Sequence, residues 1–191
     1  MTLAEQKQAQ RKAGIAARQA LTLPQRQAAD AALCAAVQQL DCFRRARTLL
    51  LYAAWGGEAD LSALAEAALR QGRTVAWPVC GPDCSLTAVV PGPAGWQAGR
   101  YGIPAPVLEG AQSLRPDQLD LVLVPCTAFD RSGGRVGMGK GFYDRFLPQC
   151  SRAFRLGAAY EVQRVEQAAV DGYDQRLDAV VTERGVWQCR I

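Results

Sequence analysis

The sequence predicts a three-layer α/β protein, in which one mainly parallel open sheet lies between helices on both faces. Apolar runs without polar alternation, such as Leu121-Val122-Leu123-Val124, are typical of strands that are buried on both faces of a parallel sheet. Helical segments separate these runs along the chain, as in α/β folds. The strand, helix and strand between Thr48 and Trp77 span about 30 residues, which is the length of a right-handed parallel unit.

The N-terminal part of the chain predicts two helices. Residues 3–20 are rich in alanine and glutamine, which favours a helix with a weak apolar face. Thr22 and the nearby Pro24 form a cap with an early proline, and they predict a second helix that ends near Leu40.

Five apolar runs supply the predicted strands. They lie near residues 48–53, 74–78, 119–125, 155–159 and 179–182. A helix over Leu61–Gln71, which Asp60 caps and Gly72 ends, is expected to join the first two strands. Pro78 is expected to end the second strand.

The remaining segments complete the predicted organisation. Residues 91–118 are expected to be a long irregular stretch, which in a compact domain is functional or packed over the sheet. The run 179–183 is expected to be the last strand. Together the elements predict a Rossmann-like sheet in a single domain over residues 1–191.

Composition and charge exclude several classes of protein. The net charge of +4 is too small and too scattered to indicate nucleic acid, but it suits an anionic substrate. No apolar run approaches the ~20 residues of a membrane helix, and the polar N-terminus does not resemble a secretory signal. Seven cysteines, an odd number without disulfide spacing, fit a reducing compartment. We therefore expect a cytoplasmic protein without membrane or nucleic-acid partners.

The chain contains no histidine. Nucleophilic systems that pair serine or cysteine with histidine are therefore excluded, as are metal sites with histidine ligands. Any bound metal is expected to be a hard cation held by carboxylates and phosphates.

A glycine-rich loop after the run at 119–125 is the most informative stretch. Five glycines fall within nine residues, at positions 133, 134, 137, 139 and 141, and Arg135 and Lys140 lie among them. A helix is expected to start at Phe142. Glycines allow backbone N–H groups to approach an anion, and a helix start presents free N–H groups to it. The arrangement predicts a phosphate cradle; the alternative is a surface Ω-loop in which glycines form tight turns.

The loop departs from two common nucleotide motifs. It follows a Walker A pattern from Gly134 to Lys140, but Gly141 stands where a serine or threonine should bind the metal. The spacing of its glycines also differs from the dinucleotide fingerprint. Asp144, in the first turn of the following helix, is the natural replacement for the missing hydroxyl as a Mg²⁺ ligand.

The segment FDRSGGRVGMGKGFYDRFL, residues 129–147, closely resembles the FD-x-x-G-x-R-x-G-x-G-x-G-[YF]-YD-R motif of the 5-formyltetrahydrofolate cyclo-ligase family, also called 5,10-methenyltetrahydrofolate synthetases. The resemblance extends over nearly the whole chain. It includes Lys7-x-x-x-Arg11, Gly57-Glu58-Ala59-Asp60, the segment 102–106 and Asp174-x-x-x-Asp178-x-x-x-Thr182. From spacing alone, Lys7 and Arg11 would be solvated charges on one helix face.

The resemblance implies roles for these positions. ATP is expected to be held by Lys7, Arg11, Arg135, Val136, Gly137, Met138, Gly139, Lys140, Gly141, Phe142 and Tyr143. The folate is expected to be bound by Ala53, Trp55, Glu58, Met138 and Phe142. Mg²⁺ is expected to be held by Asp144 and Asp174. Trp55 either stacks on the pterin ring or packs in the core, and Asp174 could instead cap a turn.

Three residues depart from the family pattern: Tyr173 replaces a common histidine, Met138 a common tyrosine and Cys126 a usual glycine. None removes a charged group, so they bear on substrate preference more than on the reaction.

The reaction that the resemblance implies is the ATP-driven closure of 5-formyltetrahydrofolate to 5,10-methenyltetrahydrofolate, with release of ADP and phosphate. The expected partners are these two substrates, bound by a monomer or weak dimer. A non-catalytic nucleotide- or anion-binding module on the same scaffold is the alternative from another class, and a sugar-phosphate isomerase is a weaker enzymatic one.

Overall fold

The structure, a computed structural model, describes residues 1–189, so the last two residues of the predicted domain lie outside it. Within the described part, five α-helices are present: α1 Leu3–Gln19, α2 Leu23–Gln39, α3 Asp41–Arg45, α4 Ser62–Arg70 and α5 Phe142–Phe146. No helix of residues 1–189 is long and apolar enough to cross a membrane.

The strands of the described residues fall into one large sheet and two short hairpins. They are β1 Thr48–Leu50, β2 Thr74–Cys80, β3 Leu86–Val90, β4 Trp96–Ala98, β5 Pro104–Pro106, β6 Gln112–Leu114, β7 Leu121–Pro125, β8 Ala128–Phe129, β9 Arg135–Val136, β10 Phe154–Ala158, β11 Ala179–Thr182 and β12 Gly185–Gln188. The large sheet has the order β12-β11-β10-β7-β1-β2-β3-β6. Its centre, from β11 to β2, is parallel, whereas β12, β3 and β6 are antiparallel edges.

Successive side chains of each central strand lie in two different hydrophobic cores, one on each face of the sheet. Leu49 and Leu121 pack on one face with the apolar sides of α2 and α4. Leu50 and Val122 pack on the other face, where α5 contributes Phe146. Because the strands are buried on both faces, their sequence shows no polar alternation. The predicted three-layer α/β class is confirmed, although the second face carries only the short α5 and irregular segments.

Both N-terminal helices have the predicted starts. Thr2 and Thr22 each accept a hydrogen bond from the backbone N–H three residues later. The side chains of Glu5 and Gln25 in turn accept one from the backbone N–H of the cap residue. The third predicted helix begins one residue late: Leu61 occupies the cap position of α4, and the Asp60 carboxylate accepts from the N–H of Ser62 at 2.9 Å.

Pro78 does not close the second strand, so this prediction was wrong. β2 continues to Cys80 and pairs with β3. β1 pairs with β2 only as far as Ala76, so beyond this point one side of β2 is a free edge. Proline is tolerated there because no neighbouring strand needs its N–H.

Two further predictions need correction. The run at 179–183 is not the last strand, because β12 follows it after a tight turn and pairs antiparallel. The stretch 91–118 is not wholly irregular, because it contains β4, β5 and β6. These strands are three or four residues long, too short to show a period in the sequence.

Helix α1 approaches the sheet closely at Gly14. A Cβ atom at this position would lie 1.8 Å from the backbone oxygen of Thr127, which precedes β8. Only glycine allows this approach, so the position of α1 relative to the strand ends depends on it.

We expect Gly14→Ala to lower the free energy of unfolding by roughly 1–3 kcal/mol, because the methyl group forces α1 away from Thr127. Urea denaturation measures the change. Gly172→Ala is the control, since a Cβ there meets nothing within 4 Å. Equal stability of the two variants would show that α1 does not depend on this contact.

Candidate functional site

A cavity of about 420 Å³ opens where the parallel strands β1 and β7 end. This is the edge at which open parallel sheets bind ligands. All the residues assigned by resemblance line it: Lys7, Arg11, Ala53, Trp55, Glu58, Arg135, Val136, Gly137, Met138, Gly139, Lys140, Gly141, Phe142, Tyr143, Asp144 and Asp174. The fold therefore brings together segments that are up to 167 positions apart in the chain.

The glycine loop is held by buried polar groups. Its first part is the β8–β9 hairpin, and the Thr127 hydroxyl donates to the backbone oxygen of Val136 at 2.8 Å. The buried Asp130 carboxylate accepts from the N–H groups of Ser132, Gly134 and Ala168. Burial opposes the charge on Asp130, but these hydrogen bonds hold its pKa below the usual value. These hydrogen bonds fix the shape of the first part of the loop, up to Val136.

Two arginines lie at this loop, Arg11 on helix α1 and Arg135 within the loop itself. Arg11 of α1 donates from Nε to the backbone oxygen of Gly137 at 2.8 Å. Arg135 is 4% exposed, and it donates to Asp144 Oδ1 at 2.7 Å. Each arginine therefore has a fixed place at the wall of the cavity, with N–H groups left over for an anion.

The two carboxylates assigned to a metal have protein partners. Asp174 Oδ2 accepts from Lys7 Nζ at 2.5 Å and from the N–H of Asp171, three residues earlier in the chain, at 2.7 Å. Asp144 Oδ1 also accepts from the N–H of Gln175 at 3.1 Å, which ties α5 to the loop of Asp174. Burial opposes the charge of Lys7, but its hydrogen bonds to Asp171 and Asp174 raise its pKa.

The other end of the cavity is more apolar and contains one buried carboxylate. Glu58 is 11% exposed, and it accepts a hydrogen bond from the N–H of Trp55 at 3.2 Å. Burial raises the pKa of Glu58, while Arg18 and the Trp55 N–H oppose the rise. Trp55 is 38% exposed, so the interpretation that it packs in the core is wrong.

The sequence reasoning missed several residues of the cavity wall. Tyr101, Ile103 and Ala105 come from the 91–118 stretch and cover the cavity, where Lys140 Nζ lies 5.9 Å from the centre of the Tyr101 ring. The tyrosine has a positive φ of 59°, which is uncommon outside glycine. Tyr52 was also missed. Its place near the carboxyl end of the first predicted strand was the available signal.

The residues that depart from the family pattern occupy different surroundings. Met138 lines the cavity and is half exposed, whereas Tyr173 is exposed outside it. Cys126 is buried in the wall, where burial raises the pKa of its thiol to about 12. Cys80 also lines the cavity, and its pKa is raised by burial. Both are neutral thiols at neutral pH, which makes them poor nucleophiles.

Three buried polar atoms around the cavity have no hydrogen-bond partner among the described residues. They are the hydroxyls of Tyr52 and Tyr143 and the Nε of Arg135. Such atoms are rare in folded proteins because each loses its contacts with water. All three atoms belong to residues that line the cavity.

Fold and cavity together define an α/β protein in which one cavity joins a cationic glycine loop to the turn that carries Glu58. Comparisons with known proteins identify its relatives. A model of the 5-formyltetrahydrofolate cyclo-ligase family matches residues 3–183, and the chain belongs to this family.

Individual relatives agree with this assignment. The 5-formyltetrahydrofolate cyclo-ligase of Escherichia coli K12 is 34% identical over 148 residues, which cover 75% of this chain and 81% of that protein. The Haemophilus influenzae protein of the same name is 33% identical over 141 residues, which cover 70% of this chain and 74% of that protein. The solved Aquifex aeolicus 5,10-methenyltetrahydrofolate synthetase superposes with a TM-score of 0.83 at 29% identity, covering 97% of this chain and 93% of that one.

We expect Tyr52→Phe to raise the free energy of unfolding of the ligand-free protein by roughly 1 kcal/mol, because it removes a buried hydroxyl without a partner. Urea denaturation measures the change. Tyr160→Phe is the matched control. Tyr160 is also a buried residue, but its hydroxyl donates to Asp30 at 2.7 Å, so the loss of this hydroxyl should lower the same energy by roughly 1 kcal/mol. Similar losses in both variants would mean that Tyr52 has a partner.

Proposed function

We propose that this protein converts 5-formyltetrahydrofolate to 5,10-methenyltetrahydrofolate with consumption of ATP and release of ADP and phosphate. The observation that carries the proposal is the single cavity that joins a cationic glycine loop to the pocket of Glu58. An enzyme that transfers a phosphoryl group to a folate needs both substrates in contact, and the cavity has the size of ordinary ligand sites.

ATP would lie on the glycine loop. Backbone N–H groups and the start of α5 would face its phosphates, and Arg11, Arg135 and Lys140 would add positive charge. Lys7, which now donates to Asp174, would reach the same phosphates by exchanging this carboxylate for a phosphate oxygen, since both are anionic acceptors.

The folate would lie at the other end of the cavity. Glu58 has a buried carboxylate that can accept hydrogen bonds from the N–H and amino groups of a pterin. Trp55, Met138 and Phe142 supply apolar surface for a flat ring, with Ala53 at the end of β1. The formyl group would then point toward Arg135 and the phosphates.

The reaction needs no protein nucleophile. The formyl oxygen attacks the γ-phosphorus, the bond to ADP breaks, and the oxygen becomes part of a good leaving group. N10 then attacks the formyl carbon and loses its proton, and phosphate departs with the former formyl oxygen. Such a reaction depends on the positioning of the two substrates and on neutralisation of the phosphoryl charge. A cavity that contains arginines and neutral thiols but no histidine agrees with this requirement.

We also propose that Asp144 and Asp174 bind Mg²⁺ together with ATP. The donor set fits: two carboxylates line the same cavity, and Mg²⁺ in nucleotide sites takes one or two carboxylates plus phosphate oxygens and waters. When bound, Mg²⁺ would neutralise phosphate charge during the transfer. Lys7 and Arg135, the present partners of the two aspartates, would turn to phosphate oxygens instead.

Three further properties stay predictions. The seven cysteines are free thiols, which supports a reducing, cytoplasmic location. A monomer or weak dimer and a single domain over residues 1–191 are the other two.

The test is a coupled assay of the purified chain. With 5-formyltetrahydrofolate, MgATP and protein, methenyltetrahydrofolate absorbance should appear, and it should be absent when ATP is omitted. ATP binding without turnover would favour the non-catalytic module, and isomerisation of a sugar phosphate without ATP would favour the isomerase.

Asp144→Asn should lower turnover by roughly 100-fold and raise the Mg²⁺ concentration needed for half-maximal rate, because it removes one charge at the phosphates. Rates over a Mg²⁺ series measure both effects. Asp117→Asn is the control, since Asp117 is exposed and pairs only locally with Arg115. Normal turnover with unchanged magnesium dependence would remove Asp144 from the mechanism.

Glu58→Gln should weaken folate binding by roughly tenfold or more, because charged hydrogen bonds to the pterin are lost. ATP binding should stay within about twofold of the original, since the glycine loop is unchanged. Separate titrations of the two ligands measure this. Equal losses for both ligands, or for neither, would assign Glu58 another role.

A further inference from the structure

Arg18 is a buried cation that the sequence reasoning did not single out. It lies in the last turn of α1 and is only 1% exposed. Burying a guanidinium is costly unless an anion or several acceptors compensate it. The question is which group compensates the charge of Arg18.

The contacts of Arg18 lead to the turn that carries Glu58. Its Nε donates to the backbone oxygen of Gly56 at 3.1 Å, and its NH1 lies 3.7 Å from Glu58 Oε1. NH1 has no hydrogen-bond partner among residues 1–189. Gly56 and Gly57 both have positive φ, 59° and 81°, so the turn has a shape that other residues rarely adopt.

Glu58 is fixed from both sides by this arrangement. One carboxylate oxygen accepts the Trp55 N–H at 3.2 Å, and the other faces Arg18. The side chain of Arg18 also lies along the turn, with Cγ 3.9 Å from where a Cβ of Gly57 would be. One cation therefore contacts both the backbone and the carboxylate of the same turn.

We propose that Arg18 is a positioning residue for folate recognition, which holds the turn at 55–58 and keeps the Glu58 carboxylate charged as an acceptor for the pterin. The inference rests on the proposed folate site. Arg18 itself does not line the cavity, so it acts through Glu58.

Electrostatics give this role a measurable consequence. Burial raises the pKa of Glu58, and Arg18 is the charged side chain that opposes the rise. Tyr52, Tyr143 and Cys126 also face Glu58, and all three are neutral because burial raises their pKa values. Arg26 of α2 approaches the turn at Gly57.

The direction in which pH changes folate affinity follows from the charge of Glu58. An acceptor carboxylate must be deprotonated, so folate affinity should fall as pH decreases through the pKa of Glu58. Without Arg18 that pKa rises further, and the fall should begin at a higher pH.

The first experiment compares Arg18→Met, Arg18→Lys and Lys12→Met with the original protein. Arg18→Met should raise the KM for 5-formyltetrahydrofolate roughly tenfold at neutral pH, with kcat and the KM for ATP within about twofold. The pH below which the KM for the folate begins to rise should also be higher in Arg18→Met than in the original protein. Arg18→Lys keeps the charge, so its pH profile should stay near the original. Lys12 is exposed on the same helix, and its replacement should change nothing.

The second experiment is a double-mutant cycle with Glu58→Gln. If Arg18 acts through Glu58, Arg18→Met should add less than about twofold to folate KM in the Glu58→Gln background. A full tenfold additional effect, or equal changes in ATP and folate KM, would overturn the proposal. If Arg18→Met does not fold, the pH profile of Arg18→Lys tests the proposal. A shift of that profile, although the positive charge is retained, would contradict the role of Arg18. Turnover by the original protein tests the proposed function separately.

Discussion

One face of helix α1 ties the two halves of the cavity together. Lys7, Arg11, Gly14 and Arg18 are spaced by four, three and four residues, so they follow one stripe of the helix. Gly14 brings this stripe against the backbone of Thr127, next to the start of the glycine loop. Lys7 and Arg11 then reach the loop end of the cavity, and Arg18 reaches the turn of Glu58. The relative position of the two ends of the cavity therefore depends on how α1 packs, and the contact of Gly14 is part of this packing.

The cavity wall holds charges and polar atoms that a structural core would not contain. Lys7 pairs with Asp174 and Arg135 with Asp144, so opposite charges compensate one another. Other groups, such as the hydroxyls of Tyr52 and Tyr143, lack a partner among the described residues. Proteins accept such a cost in stability at functional sites, where a ligand completes the contacts.

The sequence allowed the class of fold and the glycine loop to be predicted, because both depend on local patterns. Apolar runs locate the central strands, and glycines with interspersed cations locate the phosphate cradle. The edges of the sheet were harder. β12 is too short for a visible period, and Pro78 lies inside a strand because its neighbour ends early. Arg18 could not be assigned because its partners, Gly56 and Glu58, are about 40 positions away in the chain and only tertiary packing brings them together. The stripe from Lys7 to Arg18 was a visible signal, but spacing alone does not distinguish it from solvated charge.

The central claim is that the cavity places the formyl oxygen of the folate against the γ-phosphate of ATP. The most direct measurement uses 5-formyltetrahydrofolate labelled with ¹⁸O in the formyl group and follows the label by mass spectrometry during turnover. We expect the released phosphate to carry the label, because the formyl oxygen becomes the bridge to phosphorus. Unlabelled phosphate, with the label released into water, would contradict it.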